Sequence, residues 1–514
     1  PLDNAKDQAA AEVETEGKTA YYATVAGAAK AVESGETLKV LKDCESASAV
    51  EITSGGVTVD LNGKTITNSG NGPALRFTLQ GEKSYGDVTV KNGALTGGVA
   101  LEVSASGGNA KVVVGENLTM TSTKDNVQVR LKNGAYVEDE NLNTNAIWRV
   151  DGANGSKLFS SFESAVAAEN GVATLMKDYT GPVTLEAKMK CTMDLGGHTY
   201  TCTYSGNQST LIDILTEGTQ LIVKNGTLKS DTVTYAGIAT NGSKDKGNID
   251  LTLDNVTLDV PNARGIFFPS SGSVTMKDSV INAKQFGVQM CAGSLTVEGD
   301  KTSITATGTP EAKVENDGPI DDGAAISIVN RTGYLGLGKV SITGGKFAST
   351  NSKAVKAYSF NNTDKTEGAW DNSVETIQIS GGYFTSDPSK WVESGKVAVA
   401  TKEDGYRYEI TKLKETVDLD TDLVSKVDVS AGESKVSEPA VTDNMTQEVK
   451  NAMTEASEQL KNAEVVDGNK LSGIANLGID NGTLDVNKAV NAKKDEIQTA
   501  VDKANQDETE VKVK

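Results

Sequence analysis

Three aspartates in the segment ENDGPIDDGAA are the carboxylates whose spacing best suits chemistry: Asp317, Asp321 and Asp322. Inverting hydrolysis of a sugar chain needs an acid and a base carboxylate about 6.5–9.5 Å apart. Calcium binding is the alternative, because calcium prefers hard oxygen ligands of this kind. The simplest interpretation is an acidic, solvated loop between structural elements. We therefore expect no resident cofactor, and these three residues are the candidates if the chain hydrolyses glycans or binds calcium.

Two arginines, Arg264 and Arg331, are the candidate bases of a lyase, which would need calcium-binding carboxylates beside an Arg or Lys on one face. Neither has carboxylates at a regular spacing around it, and Arg264 is expected at a surface corner. His198 is the single histidine. A Ser-His-Asp site would have to include it, and a multi-His metal cluster is excluded. We expect a protein that is not an enzyme, with a polysaccharide lyase or glycoside hydrolase as the alternative.

Three aromatic residues, Tyr358, Phe360 and Trp370, fall between two copies of a repeat described below. The copies that begin at Val340 and Ile377 are 377 − 340 = 37 residues apart, which is longer than one repeat. The excess predicts a projecting loop, and loops on rigid scaffolds often carry binding residues. Exposed rings would offer flat apolar faces to a sugar. The sequence therefore predicts glycan or protein binding at these three residues.

Six short segments follow one template, in which positions 1, 3 and 8 are apolar and position 5 is Asn, Asp or Gly. They begin at Val88, Leu221, Leu251, Val274, Val340 and Ile377. Position 5 is Asn92, Asn225, Asn255, Asp278, Gly344 and Gly381. Apolar residues two apart face one side of a strand, and Asn, Asp and Gly tolerate the left-handed backbone of a sharp corner. Each copy predicts a strand, a corner and a second strand around one interior.

The spacing of the copies indicates how they stack. Leu251 and Val274 are 23 residues apart, and Val274 and Leu295 are 21 apart. A period near 22 is typical of one solenoid coil, which is too small to bury its own apolar face and must stack on its neighbours. A leucine-rich repeat has a similar period, but the intervening segments are rich in Gly and Ser and lack helical periodicity. We predict an all-β solenoid, a right-handed parallel β-helix with short capping helices.

This architecture begins twice. Residues 20–67 and 159–201 align at an offset of 134–135 positions. Each segment has a short amphipathic helix. The N-cap candidates are Thr24 in the first segment and Ser161 in the second, and the glycines that would end the helices are Gly35 and Gly171. A helix laid over the first coil would cover its open apolar end. Asp60 and Asp194 occupy matching positions and predict side-chain-stabilised corners.

The chain therefore divides into four predicted segments. These are an N-terminal segment 1–19, a short β-helical unit 20–145, the main parallel β-helix 146–410 and a small α+β module 411–514. The last rests on composition, because no Phe, Trp or Tyr follows Tyr408. Apolar residues at helical spacing occupy 449–460 and 490–504, and the final TEVKVK alternates like an edge strand.

Three runs resemble the secreted pectin-lyase-like right-handed parallel β-helix proteins of gut Gram-positive bacteria. They are YATVAGAAKAV from Tyr22, DLNGKTIT from Asp60 and ISGGYFTSDPSKWV from Ile379. The resemblance covers residues 20–410 and implies a secreted or cell-surface, adhesin-like protein. ENDGPIDDGAA also resembles the paired-Asp region of polygalacturonases, but the Gly-His-Gly and Arg-Ile-Lys elements of that family are absent.

Composition narrows the partners. The 514 residues carry 50 Lys and Arg against 70 Asp and Glu, a net charge of −20, which disfavours nucleic acid and anionic membranes. No apolar run approaches the ~20 residues of a membrane span. Four cysteines without C-x-x-C spacing predict buried thiols: Cys44, Cys191, Cys202 and Cys291. We expect a non-enzymatic β-solenoid that binds a glycan or host surface protein through loops. The alternatives are an enzyme acting on acidic polysaccharide and a structural stalk.

Overall fold

The structure is a computed structural model that describes residues 6–15, 17–242, 247–314, 318–371 and 377–412, with four short strands after residue 463. Strands hold 52% of the residues and helices 5%. The chain forms a parallel β-solenoid of about 12 turns, which confirms the predicted fold class. Two compact units are present. One is Pro1–Lys284 with Cys291–Gly293 and Tyr334–Gly336, and the other is Gln285–Met290, Ser294–Gly333 and Leu337–Lys514.

The strands of the first unit are short and follow one another closely. They are β1 (Ala11–Thr15), β2 (Lys18–Tyr22), β3 (Thr37–Val40), β4 (Cys44–Ser46), β5 (Val50–Ile52), β6 (Thr58–Asp60), β7 (Thr65–Asn68), β8 (Pro73–Gln80), β9 (Val88–Lys91), β10 (Gly93–Gly97), β11 (Val99–Val114), β12 (Leu118–Ser122), β13 (Val129–Val137), β14 (Trp148–Gly152), β15 (Gly155–Phe159), β16 (Val172–Leu175), β17 (Tyr179–Gly181), β18 (Leu185–Glu186), β19 (Cys191–Asp194), β20 (Thr199–Cys202), β21 (Thr210–Ile214), β22 (Gln220–Lys229), β23 (Ala236–Thr240), β24 (Ile249–Val260), β25 (Arg264–Phe268), β26 (Gly272–Lys277) and β27 (Val280–Ala283). The helices α1 (Val25–Ala31) and α2 (Phe162–Ala168) accompany them.

Columns of aliphatic side chains form the core of the first unit. Leu251 in β24 pairs with Leu221 in β22 on one side and with Val274 in β26 on the other. All three are at most 1% exposed. The predicted pairing of Leu251 with Val274 is therefore confirmed, and Leu295 is buried in the second unit. Full burial of each such side chain contributes about 1.5–3 kcal/mol.

The outward side chains of the same strands alternate in charge from coil to coil. Lys224 lies opposite Asp194 in β19 and opposite Asp254 in β24, and Asp254 in turn lies opposite Lys277. The ammonium of Lys224 is 3.2 Å from the Asp194 carboxylate. Opposite charges on neighbouring strands attract, and like charges there repel. The alternation therefore favours the observed register.

Left-handed backbone occurs at the predicted corner position in four of the six copies: Asn92 (φ 57°), Asn225 (φ 58°), Asn255 (φ 56°) and Asp278 (φ 46°). In the two copies with paired glycines the second glycine takes this conformation, at Gly345 (φ 106°) and Gly382 (φ 109°). The prediction for Gly344 and Gly381 was therefore wrong by one residue. Glycine pays no Cβ penalty for positive φ, so either member of the pair can make the turn.

Both predicted coil starts are present, and each is preceded by a hairpin that the sequence did not indicate. Thr24 and Ser161 cap α1 and α2, accepting hydrogen bonds from the amides of Gly27 (3.0 Å) and Ser164 (3.3 Å). The helices end at Ala31 and Ala168, before the predicted glycines. The hairpins β1–β2 and β14–β15 are antiparallel.

The corner role of the two matching aspartates is also confirmed. The Asp60 carboxylate accepts from the Asn62 amide at 2.9 Å. The Asp194 carboxylate accepts from the Gly196 amide at 3.0 Å. A side chain that bonds its own backbone two residues ahead stabilises a tight turn.

The second unit repeats the coil pattern. Its strands are β28 (Val288–Met290), β29 (Gly293–Glu298, with Gly293 in the first unit), β30 (Ser303–Ala306), β31 (Ile326–Arg331), β32 (Leu337–Ile342), β33 (Lys346–Ser349), β34 (Val355–Asn361), β35 (Thr366–Gly368), β36 (Ile377–Ile379), β37 (Tyr383–Phe384), β38 (Lys396–Ala400) and β39 (Tyr408–Lys412). A 3-10 turn covers Ser389–Trp391. Strands β28, β31 and β34 pair in parallel, and β38–β39 form an antiparallel hairpin.

In the predicted α+β module the structure describes four strands, β40 (Glu464–Val466), β41 (Lys470–Ser472), β42 (Ile479–Asp480) and β43 (Thr483–Leu484), paired as two antiparallel hairpins. The predicted helices at 449–460 and 490–504 and the final TEVKVK strand lie outside the described residues.

Candidate functional site

The candidate site is where residues 318–325, here called the outer loop, cover the strands β28, β31 and β34. Ile326 and Ile328 of β31 belong to the core, so the alternating Ser327 faces away from it. The side-chain amide of Gln289 in β28 makes two hydrogen bonds to the backbone of one loop residue, Ile320. It donates to the carbonyl of Ile320 (2.7 Å) and accepts from the amide of Ile320 (2.8 Å). Gln289 and Ser327 are completely buried beneath the loop.

Asp322 anchors the outer loop to two strands. Its carboxylate accepts from the hydroxyl of Ser327 in β31 (2.5 Å), the hydroxyl of Tyr358 in β34 (2.9 Å) and the amide of Ala324 (3.1 Å). The residue is 2% exposed. Burial raises the pKa of Asp322, and these hydrogen bonds oppose that effect. The expectation of a solvated acidic loop was therefore wrong for Asp322.

The other two aspartates do not complete a catalytic pair with Asp322. Asp317 lies outside the described residues. Asp321 is half-buried, and its backbone amide donates to the Glu311 carboxylate (2.9 Å) while its carbonyl accepts from the Glu311 amide (2.7 Å). A raised pKa suits a general acid. However, the 2% exposure of Asp322 leaves a sugar oxygen no access to it.

The same geometry bears on calcium. A calcium ion needs six to eight oxygen ligands, whereas the oxygens of Asp322 are occupied by hydroxyl and amide donors. Within the described part of the chain, no group of three or more His, Cys, Asp or Glu side chains could hold a metal ion. The polar groups of Asp322 in the outer loop are thus used by hydrogen bonds within the protein and not by a metal ion.

Arg331 is the second anchor of the outer loop. Its guanidinium donates to the carbonyl of Gly318 and to the side-chain oxygen of Asn362, the latter through Nε (2.9 Å) and Nη2 (2.7 Å). It also lies 5.0 Å from the centre of the Phe360 ring. Arg331 is 3% exposed, so this candidate lyase base is engaged in structure. Arg264, in the first unit, is half-buried over the Tyr235 ring and donates to the Tyr235 carbonyl (3.2 Å).

The three predicted binding aromatics are buried. Tyr358 is 2% exposed, Phe360 3% and Trp370 9%. Tyr358 and Phe360 lie in β34, and Trp370 packs edge-on against Trp391 at 5.7 Å between ring centres. The extra residues form the β34–β35 hairpin, so the expectation of projecting rings was wrong. Buried rings leave no flat face free for a sugar.

A small open cavity borders the same hairpin. Its volume is about 220 Å³, and its walls are Asn330, Thr332, Ser359, Phe360, Asn361, Thr366 and Gly368. None of these lining residues is ionisable. The side chains of Asn330, Ser359 and Thr366 make no hydrogen bond to another residue that the structure describes, so their amide and hydroxyl groups are available. The cavity is thus a neutral hydrogen-bonding site beside an aromatic ring.

A charged cluster on the first unit was missed by the sequence reasoning. Glu51, Arg76, Glu102 and Arg130 lie opposite one another on successive coils. Glu102 is 4% exposed and contacts Arg76 (2.9 Å), Arg130 (3.3 Å) and Lys132 (3.0 Å). The available signal was the spacing of these residues, at 25, 26 and 28 positions.

The electrostatics of this cluster favour a structural role. Burial is the largest influence on the pKa of Glu102 and acts to raise it, but Lys132 and Arg76 outweigh burial, so the pKa is lowered. Arg130 also pairs with Asp125. Carboxylates and cations therefore neutralise one another on this face, and a group already bound by three cations is not poised to move a proton.

The remaining sequence candidates lie in the first unit. His198 is 37% exposed at its side chain, and its Nδ1 is 3.4 Å from the Asp178 carboxylate. None of the four cysteines forms a disulfide; Cys191, Cys202 and Cys291 are buried and Cys44 is half-buried. The buried thiols are confirmed at three of the four positions.

No known protein family, curated protein or solved structure matches this chain. Among the described residues, no helix is long and apolar enough to cross a membrane.

Proposed function

We propose that this protein is a non-catalytic β-solenoid that binds carbohydrate in the cavity beside the β34–β35 hairpin. The observation that carries the proposal is the chemistry of the cavity wall, where the amide and hydroxyl groups of Asn330, Ser359 and Thr366 line the cavity together with Phe360. Sugar hydroxyls both donate and accept hydrogen bonds, as do Asn, Ser and Thr side chains. The wall therefore matches a neutral sugar.

The size of the cavity narrows the ligand. Sites for drug-sized molecules occupy about 300–1,000 Å³, and this cavity is about 220 Å³. It suits one sugar residue or a chain end better than a long stretch of polysaccharide. The wall carries no Arg or Lys, so recognition of an acidic polysaccharide would lack the cations that usually bind carboxylates.

The cavity is also held rigidly. Arg331 packs on Phe360 and bonds Asn362, while Tyr358 on the same strand is tied to Asp322. A site held in its binding conformation loses less entropy when a ligand enters. This supports binding by the β34–β35 region, with the outer loop as its support.

The proposal includes a location. The resemblance of residues 20–410 to pectin-lyase-like surface proteins of gut Gram-positive bacteria supports a secreted or surface-displayed, adhesin-like role. A solenoid with a small sugar site would display that site to glycans of a host surface. The alternative partner is a host surface protein that binds through the same loops.

The test is a glycan array followed by calorimetry with the full chain. N330A and S359A each remove one hydrogen-bonding group from the wall, and each lost bond should weaken binding by about 2- to 12-fold. T252A is the matched control, because Thr252 faces outward on another strand. No glycan bound, or binding unchanged in both wall variants, would overturn the proposal.

A turnover assay addresses the enzyme alternative. Neutral and acidic polysaccharides are incubated with the protein, and reducing ends and unsaturated products are measured. We expect neither product above background. Turnover that is lost in D321A or D322A, while the fold is intact, would contradict a non-catalytic protein.

A further inference from the structure

Among the described residues, three short antiparallel hairpins each pair antiparallel with a strand of a coil stack outside the hairpin. The hairpins are β1–β2, β14–β15 and β38–β39. The first two are followed by a helix and then by the first strand of a parallel stack, β3 and β16. We can therefore compare, for each of the three hairpins, which of its two edges pairs with a coil strand.

The middle hairpin is occupied on both edges. Its second strand, β15, pairs antiparallel with β13, the preceding coil strand, through Tyr136 opposite Phe159. Its first strand, β14, pairs antiparallel with β16, the next coil strand, through Trp148 opposite Leu175. The Tyr136 and Phe159 rings pack 5.2 Å apart. One hairpin thus joins the end of one stack to the start of another.

The other two hairpins are each occupied on one edge. In the first unit, β1 pairs with β3 as β14 does with β16, but β2 has no strand partner except β1 among the described residues. In the second unit, β39 pairs with β37 as β15 does with β13, but within the described part of the chain β38 pairs with β39 alone. The free β2 edge therefore corresponds to the β15 edge of the middle hairpin, and the free β38 edge corresponds to its β14 edge.

We propose that the β2 edge of one copy of this chain pairs with the β38 edge of a second copy. An unpaired edge offers a row of N–H and C=O groups that another strand can satisfy. Both strands have the composition of strand partners, with KTAYY in β2 and KVAVA in β38. Tyr22 occupies the position of Phe159, because each is opposite the first residue of its hairpin. The Tyr22 ring is half-buried against the core of its own unit, and its exposed part would meet the incoming strand.

The contact would be heterologous, because the two edges differ. Heterologous contacts continue into rings or open chains instead of stopping at a two-fold dimer. Each copy carries a net charge of −20, so copies repel at low ionic strength. Salt screens that repulsion, and association should therefore strengthen as salt rises.

The test is sedimentation velocity of the full chain over a wide concentration range. T19P and A398P each remove one N–H that points to the free edge, because the Thr19 and Ala398 amides alternate with those that bond within each hairpin, and edge strands are where a sheet tolerates proline. We expect the unmodified chain to form a concentration-dependent series of oligomers. Each variant alone should be monomeric, and an equal mixture of the two should form one-to-one complexes only, because one free edge of each kind remains.

Circular dichroism and thermal melting establish that each variant folds. If proline unfolds either one, A20K and A398K block the edges by charge. T121K is the matched control, since β12 is the edge strand of a different sheet, and it should associate as the unmodified chain does. A chain that stays monomeric at every concentration and salt, or variants that still associate alone, would overturn the proposal.

Discussion

Removing the Tyr358 hydroxyl tests how the outer loop is held. In Y358F the Asp322 carboxylate loses a 2.9 Å donor and keeps those from Ser327 and Ala324. A buried acceptor that loses a partner costs about 1–3 kcal/mol. At 1.36 kcal/mol per factor of ten, opening of the loop becomes about 5- to 150-fold more frequent.

Hydrogen–deuterium exchange read by mass spectrometry measures that opening directly. Amide exchange reports local opening, so peptides covering the outer loop should exchange faster by that factor while core strands do not change. The matched control is Y204F, because Tyr204 is 44% exposed. Equal protection of the loop in Y358F and the unmodified chain would refute the inference that Asp322 anchors it.

The protonation of Asp322 gives the same anchor a pH dependence. Burial raises its pKa, so the folded state binds the proton more tightly than the unfolded state. The contribution is fully present below the unfolded value of ~3.9 and is lost as pH rises through the folded pKa. D322N cannot titrate, so loop protection in the unmodified chain should fall relative to D322N from about pH 4 upward.

The charged groups near the Asp322 carboxyl group also affect its pKa. Lys356 lies 4.3 Å from the centre of the Tyr358 ring and pairs with Glu367 at 2.7 Å. Its charge lowers the pKa of Asp322 but ranks last among the influences, after burial and the three hydrogen bonds. A ratio of loop protection, unmodified chain to D322N, that rises with pH would mean that the carboxylate is the favoured form, contrary to the burial argument.

Three further predictions concern the solenoid itself. L253A should lower the free energy of unfolding in urea by about 2–5 kcal/mol, because Leu253 is completely buried, whereas T252A on the outward face should change it by less than about 0.5 kcal/mol. At the left-handed corner, N255A should destabilise by about 1–2 kcal/mol in the same assay and N255G by less. A thiol reagent should modify half-buried Cys44 first. Cys191, whose pKa burial raises to about 11, should react only on unfolding.

The coils were predictable from the sequence because the residues that determine each coil are close together in the chain. The apolar alternation of a strand and the Asn at its corner lie within eight residues, as in the copy from Leu251 to Leu258. Their consequence, a column of Leu221, Leu251 and Val274, follows from repetition alone. The hairpin β14–β15 was missed because its residues belong to no repeat copy, so periodicity says nothing about them.

The candidate site was not predictable for a different reason. Asp322 and Tyr358 are 36 residues apart, and their contact depends on how the outer loop folds over two neighbouring strands. From the sequence, Asp322 reads as a solvated acid and Tyr358 as an exposed ring. Each is buried because of the other, and a pairing of that kind leaves no periodic signal.

The distribution of polar groups explains why function is sought away from the regular coils. Where strands repeat in register, outward charges face their opposites, as Lys224 faces Asp194 and Asp254, and they have little left to offer a ligand. Where the period lengthens, residues are released from the ladder. The outer loop and the β34–β35 hairpin are two such places in the second unit. The hairpin stands beside Asn330 and Ser359, which lie opposite each other on β31 and β34 and whose side chains no described neighbour uses. A repeat that satisfies itself coil by coil leaves its insertions to make specific contacts, which is why the cavity rather than the flat faces carries the proposed function.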